Sequence, residues 1–563
     1  MFPLACALRK SLREGYSLNT FRHDLIAALI VSLVALPLDM ALAIAVGLPP
    51  QYGLYTAIVT GIIVPLLGGA PFQVSGPTAA FVVILAPIVS QHGLHGLIIT
   101  TIISGILLIL MGITKVGRYI NYVPYPVTTG FTSGIAMVIA TISLNDLLGL
   151  RIENLHGSYI EKVSVIASHM PSLYWPEALV GLVSLFIMFT SRFALPKVPP
   201  PVVGIAIGTL LTWVLNSHGF DIATLGSRFT FQWPDGSTGH GIPPFAPSFH
   251  WPNHIPGDLF AWPSYEELKI LAVPSLVIAT LGALESLLSA TVADGIAGTR
   301  HAPNAELIAV GIGNVLSGLA SGIPATGAIA RTATNIHSGA KTPLASAMHA
   351  LFIMIYVMLL ARYMSYIPMS ALAALLVTVA YRMSHYRQFV RTLRIAPGSD
   401  SLVLLVCFGF TVFIDMVAGV TAGVVLACLL LLKRLAALTS SGISTPPPHL
   451  NLPSNVLIYH INGALFFATA EKAFDRAGFM LDNVRTLIID MLNVPLIDMT
   501  GLVAMKTMIL DIAGRTERII LCGKPEITGK IIQKLPPELT KVSVADTLEN
   551  AAMAALHGNS GRD

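Results

Sequence analysis

The residue most in need of a chemical explanation is Arg331. It lies in Pro324-Ala325-Thr326-Gly327-Ala328-Ile329-Ala330-Arg331-Thr332-Ala333-Thr334-Asn335, with apolar runs close on both sides. A guanidinium at membrane depth costs about 2.5 kcal/mol or more on insertion scales, so it needs a partner or a wet cavity. Gly322-Ile323-Pro324 just before it resists helix, because proline lacks the N–H and pushes its predecessor out of helical geometry. This predicts an extended segment and then a helix starting mid-membrane near Thr326, with Arg331 about one turn inside. The first N–H groups of such a helix have no intrahelical partner and, with the helix dipole, favour an anion. The chemistry on offer is binding of something negatively charged. The competing reading is a cytoplasmic loop whose arginine faces water.

A second stretch repeats the grammar. Phe72-Gln73-Val74-Ser75-Gly76-Pro77-Thr78 is an extended segment, a Gly-Pro break and a helix start, at the corresponding position of the first half. Paired interrupted helices in inverted repeats point to a midplane binding site. That site would comprise Gly76, Thr78, Ala79, Thr326, Gly327, Ala328 and Arg331; coincidental Gly/Pro kinks are the bland alternative. Two acids repeat the symmetry: Asp39 in Leu36-Pro37-Leu38-Asp39-Met40-Ala41, and Glu285 in Gly282-Ala283-Leu284-Glu285-Ser286. Intramembrane carboxylates are functional by default, and each could hold a proton in one state and release it in another. A static ion pair with Arg331 is the alternative, and Arg331 can satisfy only one of them fully. His337 and His349 titrate near neutrality in water, but read as packed or interfacial residues. Asp294, in Ala293-Asp294-Gly295, reads as the cap of a cytoplasmic loop.

The elements that must position these groups are membrane helices. Of 563 residues, 54% are hydrophobic and 11% charged, and the mean hydropathy is +0.74. Apolar runs near the ~20 residues needed to cross a bilayer recur along most of the chain. They fall at 22–46, 52–69, 76–91, 94–112, 124–145, 174–192 and 200–217, then at 269–290, 303–320, 326–338, 342–361, 367–381, 400–416 and 418–435. That predicts an α-helical integral membrane protein of fourteen spans, two inverted repeats of seven (22–217 and 269–435) within a 22–437 domain. The polar stretch 218–268, including Asp235–Pro243, reads as a solvated external linker rather than a lid.

Basic residues set the orientation. Arg9, Lys10, Arg13, Arg22, Lys115, Arg118, Arg192, Lys197, Arg300, Lys341, Arg382, Arg387, Arg391, Arg394, Lys433 and Arg434 fall on one side, against Arg151, Lys162, Arg228, Lys269 and Arg362. Both ends are then cytoplasmic, with 1–21 an N-terminal segment and the first helix uncleaved. The net charge of +4 is too weak and dispersed for nucleic acid. Cys6, Cys407, Cys428 and Cys522 lack metal-ligand spacing and read as small core residues. No metal or other cofactor is expected. Neither His-Glu-x-x-His, Gly-x-Ser-x-Gly nor a phosphate-cradling loop is present, so an enzyme is not expected.

Beyond Lys433-Arg434 the composition changes. A stiff linker (438–452) carrying Thr445-Pro446-Pro447-Pro448 leads to a small α/β domain at 453–563. Its expected strands are Val456–Ile461, Thr486–Met491 and Arg518–Cys522. Helices are expected near Ala470–Leu481, Thr500–Ala513, Glu526–Lys534 and Thr547–Leu556.

Several stretches in order carry a resemblance: Gly47-Leu48-Pro49-Pro50-Gln51-Tyr52-Gly53-Leu54-Tyr55, Val74-Ser75-Gly76-Pro77-Thr78-Ala79-Ala80, Ala283-Leu284-Glu285-Ser286 and Ala328-Ile329-Ala330-Arg331-Thr332-Ala333. Along nearly its whole length the chain resembles the SulP/SLC26 family of anion transporters. The C-terminal domain is similar to a STAS domain, with Asp498-Met499-Thr500-Gly501 at its characteristic turn. The resemblance implies seven-plus-seven inverted repeats with core and gate domains, an elevator-like mechanism and a homodimer in a bacterial inner membrane. Met499 stands where the turn usually has its first hydroxyl, leaving Thr500 as the one phosphorylatable position there. Within the family, Val74–Leu85, Gly130-Phe131-Thr132-Ser133-Gly134-Ile135 and Asp235–Pro243 are most similar to the bacterial C4-dicarboxylic acid transporter type. Asp39 departs from the small residue many relatives carry, so its role does not transfer with the resemblance.

The expected function is secondary active transport of a small anion. A proton-coupled C4-dicarboxylate (succinate, fumarate, aspartate) comes first, with Glu285 and Asp39 as coupling acids. Sulfate or bicarbonate, with proton or sodium coupling, is the alternative, and an anion-binding membrane sensor is a third reading.

Overall fold

The computed structural model describes residues 4–118, 124–152, 155, 157–195, 198–233, 235–249, 263–444, 450, 452–470, 484–537 and 539–557. They form two compact units, dividing between Val424 and Val425.

The first unit is built from helices α1 (Leu18–Val46), α2 (Gln51–Leu67), α3 (Ala79–Ile113), α4 (Tyr125–Leu147), α5 (Trp175–Ala194) and α6 (Pro200–Ser217). These are followed by α7 (Tyr265–Ala297), α8 (Pro303–Leu319), α9 (Ile329–His337), α10 (Pro343–Met364), α11 (Met369–Met383) and α12 (Gly398–Phe413). Helix α13 (Met416–Leu438) runs across the division. Among the described residues, eight helices (α1, α3–α7, α10 and α13) are long and apolar enough to cross a membrane. The expected spans at 76–91 and 94–112 are the two parts of α3, which meet at a kink at Gly93, whose backbone (φ 61°, ψ −161°) leaves helical geometry.

Packing is reciprocal between the two halves of this unit. Helix α3 packs on α8 and α2 on α10; α4 packs on α12 and α5 on α11. The α3–α8 contact depends on glycine, since a Cβ on Gly105 would lie 2.7 Å from the Gly311 carbonyl oxygen and one on Gly311 2.6 Å from that of Gly105. Small residues that let backbones meet are how membrane helices associate without a hydrophobic driving force between them.

Two short strands interrupt the helices. β1 (Ser75–Gly76) and β2 (Thr326–Gly327) pair antiparallel, Ser75 opposite Gly327 and Gly76 opposite Thr326. The second interrupted helix therefore begins at Ile329, not near Thr326, and Arg331 lies in its first turn rather than one turn in. The backbone of Thr326 and Gly327 is used in the ladder and cannot also start a helix.

Within the stretch read as a solvated linker, part of the chain forms regular structure. Thr230–Gln232 and Thr238–His240 form an antiparallel hairpin, with Asp235 accepting from the Ser237 amide (2.9 Å) and hydroxyl (2.6 Å) at its turn. Phe231, Trp233 and Phe245 stack edgewise beside it, which supplies the apolar contact that short strands otherwise lack. Asp294 caps the α7–α8 turn as expected, accepting from Thr299, the His301 amide and the His301 ring at 2.7–2.8 Å. His349 is buried and His337 exposed. The cysteines divide: Cys407 and Cys522 are core residues, but Cys6 is half-buried and Cys428 exposed, because not every face of an apolar helix is packed against protein.

The second unit is a five-stranded sheet, β3 (Ser440–Ser444), β4 (Val456–Asn462), β5 (Thr486–Asp490), β6 (Arg518–Cys522) and β7 (Val542–Ala545), in that spatial order. β3 is antiparallel and the rest are parallel. Helices α14 (Met499–Ala513), α15 (Pro525–Ile532) and α16 (Leu548–His557) complete it. Both sheet faces are covered, Ile489 and Leu521 packing with Met505 and Ile509, and Ile488 and Ile520 with Ala551 and Ala555. Residues 440–444, assigned to the linker from sequence, are thus an edge strand; the prolines and the helix expected beyond Ala470 fall outside the described residues.

Candidate functional site

The β1–β2 ladder sets the geometry. Its antiparallel register brings the starts of α3 and α9 to one place with opposed chain directions. Residues 322–325, leading into β2, are clasped from both halves. Thr56 of α2 accepts from the Ile323 amide (2.7 Å) and donates to its carbonyl (3.1 Å). Asn314 of α8 bonds both the amide and the carbonyl of Ala325, at 2.7 and 3.0 Å. Such reciprocal clasps satisfy extended backbone where no water is present to do so. Thr332 accepts from the Val74 amide (3.1 Å), Ala328 donates to the Val74 carbonyl (2.9 Å), and Ser286 accepts from the Gly327 amide (3.0 Å).

Charged groups sit around this frame. Arg331 is 2% exposed and forms an ion pair with Asp39 of α1 at 2.6 Å. It also donates to the Pro77 carbonyl at 2.6 Å, reaching across to the residue before the Thr78 cap of α3. Glu285 of α7 is not paired with an arginine among the described residues. A single carboxylate oxygen accepts from Thr78 and from Thr326, each at 2.9 Å. The two acids that sequence symmetry put in parallel thus have different partners: Asp39 neutralises Arg331, and Glu285 ties the two helix starts together.

A Cβ on Gly76 would lie 2.5 Å from Arg331 Nη1, so any larger residue there must displace the guanidinium. Ala79 is buried, while Ala328 is half-buried and Ile329 is 41% exposed. The first amides of α3 and α9 have no intrahelical acceptor, as at any helix start, and present donors beside the two threonines. Gly76, Thr78, Ala79, Thr326, Gly327, Ala328 and Arg331 all lie within this one junction.

Comparison with known proteins identifies the fold that carries this junction. Residues 21–407 match the sulfate permease family model, and residues 448–551 match the STAS domain model. The chain belongs to the sulfate permease family. It is therefore a secondary anion transporter, not an enzyme, and a multi-pass membrane protein. A Bacillus subtilis relative with the name "Putative sulfate transporter YvdB" is 35% identical over 93% of this chain and 94% of its own. The bicarbonate transporter BicA of Picosynechococcus is 25% identical over 95% of each. The solved transmembrane domain of a cyanobacterial BicA superposes with a TM-score of 0.63, at 25% identity, over 72% of this chain and 98% of that one. For the murine solute carrier 26 family member A9 the TM-score is 0.82 over 97% and 93% of the two chains; at 17% identity this likeness establishes the fold alone.

Sequence reasoning about this permease missed Glu306, Gln73, Thr56, Asn314 and Ser286. Glu306 is 1% exposed and accepts three hydrogen bonds, from Gly69, Ala70 and Gln73. Its place in the sequence, a carboxylate within the first turn of an apolar span at Pro303-Asn304-Ala305-Glu306, reads equally as a solvated helix end and gave no distinct signal. The others are uncharged hydroxyls and amides whose partners lie in distant segments. In the second unit, Asp498 caps α14 by accepting from Gly501 (2.7 Å) and from Phe467 (3.0 Å). Thr500 is exposed beside it.

Proposed function

We propose that the chain carries a small oxyanion, sulfate first and bicarbonate second, together with a proton. The anion would lie against the first turns of α3 and α9. One observation carries the reading: Arg331 is matched by Asp39, while Glu285, between the two helix starts, has hydroxyl partners and, among the described residues, no cation. A dianion entering there meets the positive ends of two helices and one like charge. At 4 Å and an effective dielectric constant of 20, two like unit charges repel by about 4 kcal/mol. Protonating Glu285 removes that term, so anion and proton favour each other's binding reciprocally. Asp39 offers a second route, since a proton there would free Arg331 for the anion. Sodium among the carboxylate and hydroxyl oxygens would serve the same electrostatic end.

The substrate order follows the names of the relatives, which read sulfate and bicarbonate, rather than the C4-dicarboxylate expected from the subfamily likeness. The reciprocal packing of the two halves supports two inverted repeats; from the family membership and the distribution of basic residues we further infer fourteen spans, elevator-like movement, a homodimer and both termini cytoplasmic in a bacterial inner membrane.

The test is uptake into proteoliposomes of labelled sulfate, bicarbonate, succinate and fumarate, with and without an inward proton or sodium gradient. Proton-driven sulfate uptake supports the reading. Uptake of succinate alone moves the substrate to dicarboxylates, sodium dependence replaces the coupling ion, and binding without flux favours an anion sensor.

A further inference from the structure

We propose that Glu306 is a positioning residue for the anion site, acting through Gln73 and the β1–β2 ladder. The inference rests on the anion lying at that ladder. Glu306 stands in the first turn of α8, 1% exposed. One oxygen accepts from the Gly69 amide (2.8 Å) and the Ala70 amide (2.9 Å), and the other accepts from the Gln73 side-chain amide (2.9 Å). No lysine or arginine is paired with it among the described residues. Three N–H donors converge on one buried carboxylate, the arrangement by which proteins hold an anion away from water.

The chain is shaped to reach it. A Cβ on Gly68 would lie 2.6 Å from the Glu306 oxygen, and one on Gly69 would overlap the Ala302 carbonyl. The Ala302 amide in turn donates to the Gly69 carbonyl (3.1 Å). Residues 68–73 form the lead-in to β1, so Glu306 of the second half fixes the start of a strand belonging to the first. The link then returns. The Gln73 side chain, held at its amide nitrogen by Glu306, lies against Gly327 so closely that a Cβ there would overlap its Nε2 and Cδ atoms. Gly327 is the β2 residue opposite Ser75. Glu306, Gln73 and Gly327 thus form one contact chain from α8 to the ladder, and they set the register between the two helix starts without any group reaching the anion.

Position, not proton exchange, is the role this geometry gives. Replacing Glu306 by Leu removes both acceptors and leaves the Gly69, Ala70 and Gln73 N–H groups without their partner in the interior. Glu306→Gln is the conservative rescue: its Oε1 accepts from the Gly69 and Ala70 amides, and its NH2 group donates to the Gln73 carbonyl oxygen once that side-chain amide turns over.

The experiment uses the full chain. In Glu306→Leu, amide hydrogen exchange should quicken in peptides covering 68–76 and 326–328 and stay unchanged in α10. Sulfate KM should rise about tenfold or more, as for loss of a hydrogen bond to a charged group, with the proton dependence of uptake kept. Glu306→Gln should keep slow exchange and most of the sulfate affinity. Unchanged exchange at both segments overturns the proposal, as does a loss of proton dependence with KM unaltered. Hydrogen exchange needs no substrate, so a chain that carries another anion would leave this arm intact while the proposed function failed.

Discussion

Replacing Arg331 by Gln tests whether its ion pair and the anion site are separable. The substitution leaves the Asp39 carboxylate without its cation at 0% exposure and the Pro77 carbonyl without its 2.6 Å donor. Breaking a buried pair by removing one partner costs about 3–5 kcal/mol. The Coulomb term alone, about 4 kcal/mol at 4 Å and an effective dielectric constant of 20, is of the same size. Asp39→Asn combined with Arg331→Gln removes both charges, so it should be less destabilised than Arg331→Gln alone, with a coupling of about 2–3 kcal/mol between the sites. Sulfate binding should be lost in Arg331→Gln and remain lost in the double variant, because restored stability does not restore the positive charge. The assay is denaturant unfolding of the purified protein in mixed micelles, each variant with and without sulfate. Additive effects of the two substitutions, or sulfate still stabilising Arg331→Gln, would refute the reasoning.

Glu285→Gln should retain sulfate binding and lose its pH dependence, read by binding titrations across pH; unchanged dependence moves the coupling proton elsewhere. Gly76→Ala must displace Arg331, whose Nη1 would lie 2.5 Å from the new Cβ, and should weaken sulfate binding about tenfold or more with the fold intact by circular dichroism. Burial, with Asp490, Glu549 and Asp546 nearby, pushes the Cys522 thiol up from 9.0 to about 12. The thiol is therefore neutral through physiological pH, and maleimide at pH 7 should spare Cys522 in the folded protein and label it after denaturation, as read by mass spectrometry. Removing residues 439–563 should alter transport rate or assembly and leave the order of anion preference unchanged. Cutting after Pro448 instead would strand β3, whose ladder partner is Ile458–Asn462.

The sequence by itself determined the membrane class, the apolar runs and the two Gly/Pro breaks, because each follows from local physics: length against bilayer thickness, and proline and glycine against helix. It also singled out Arg331, Glu285 and Asp39, since a charge within an apolar run is costly wherever its partner lies. Only the tertiary structure decided which acid takes the arginine. That choice depends on how α1 and α7 pack around α9, and the two acids look alike in their own helices. The helix start at Ile329 was equally undecidable locally, for Thr326 and Gly327 become a strand only when Ser75 and Gly76 pair with them. The same holds for Ser440–Ser444, which needs β4 to be a strand at all. Glu306 was hidden for a related reason: an acid in a first helical turn reads as a solvated end, and only the approach of Gly69, Ala70 and Gln73 turns it into a buried anchor.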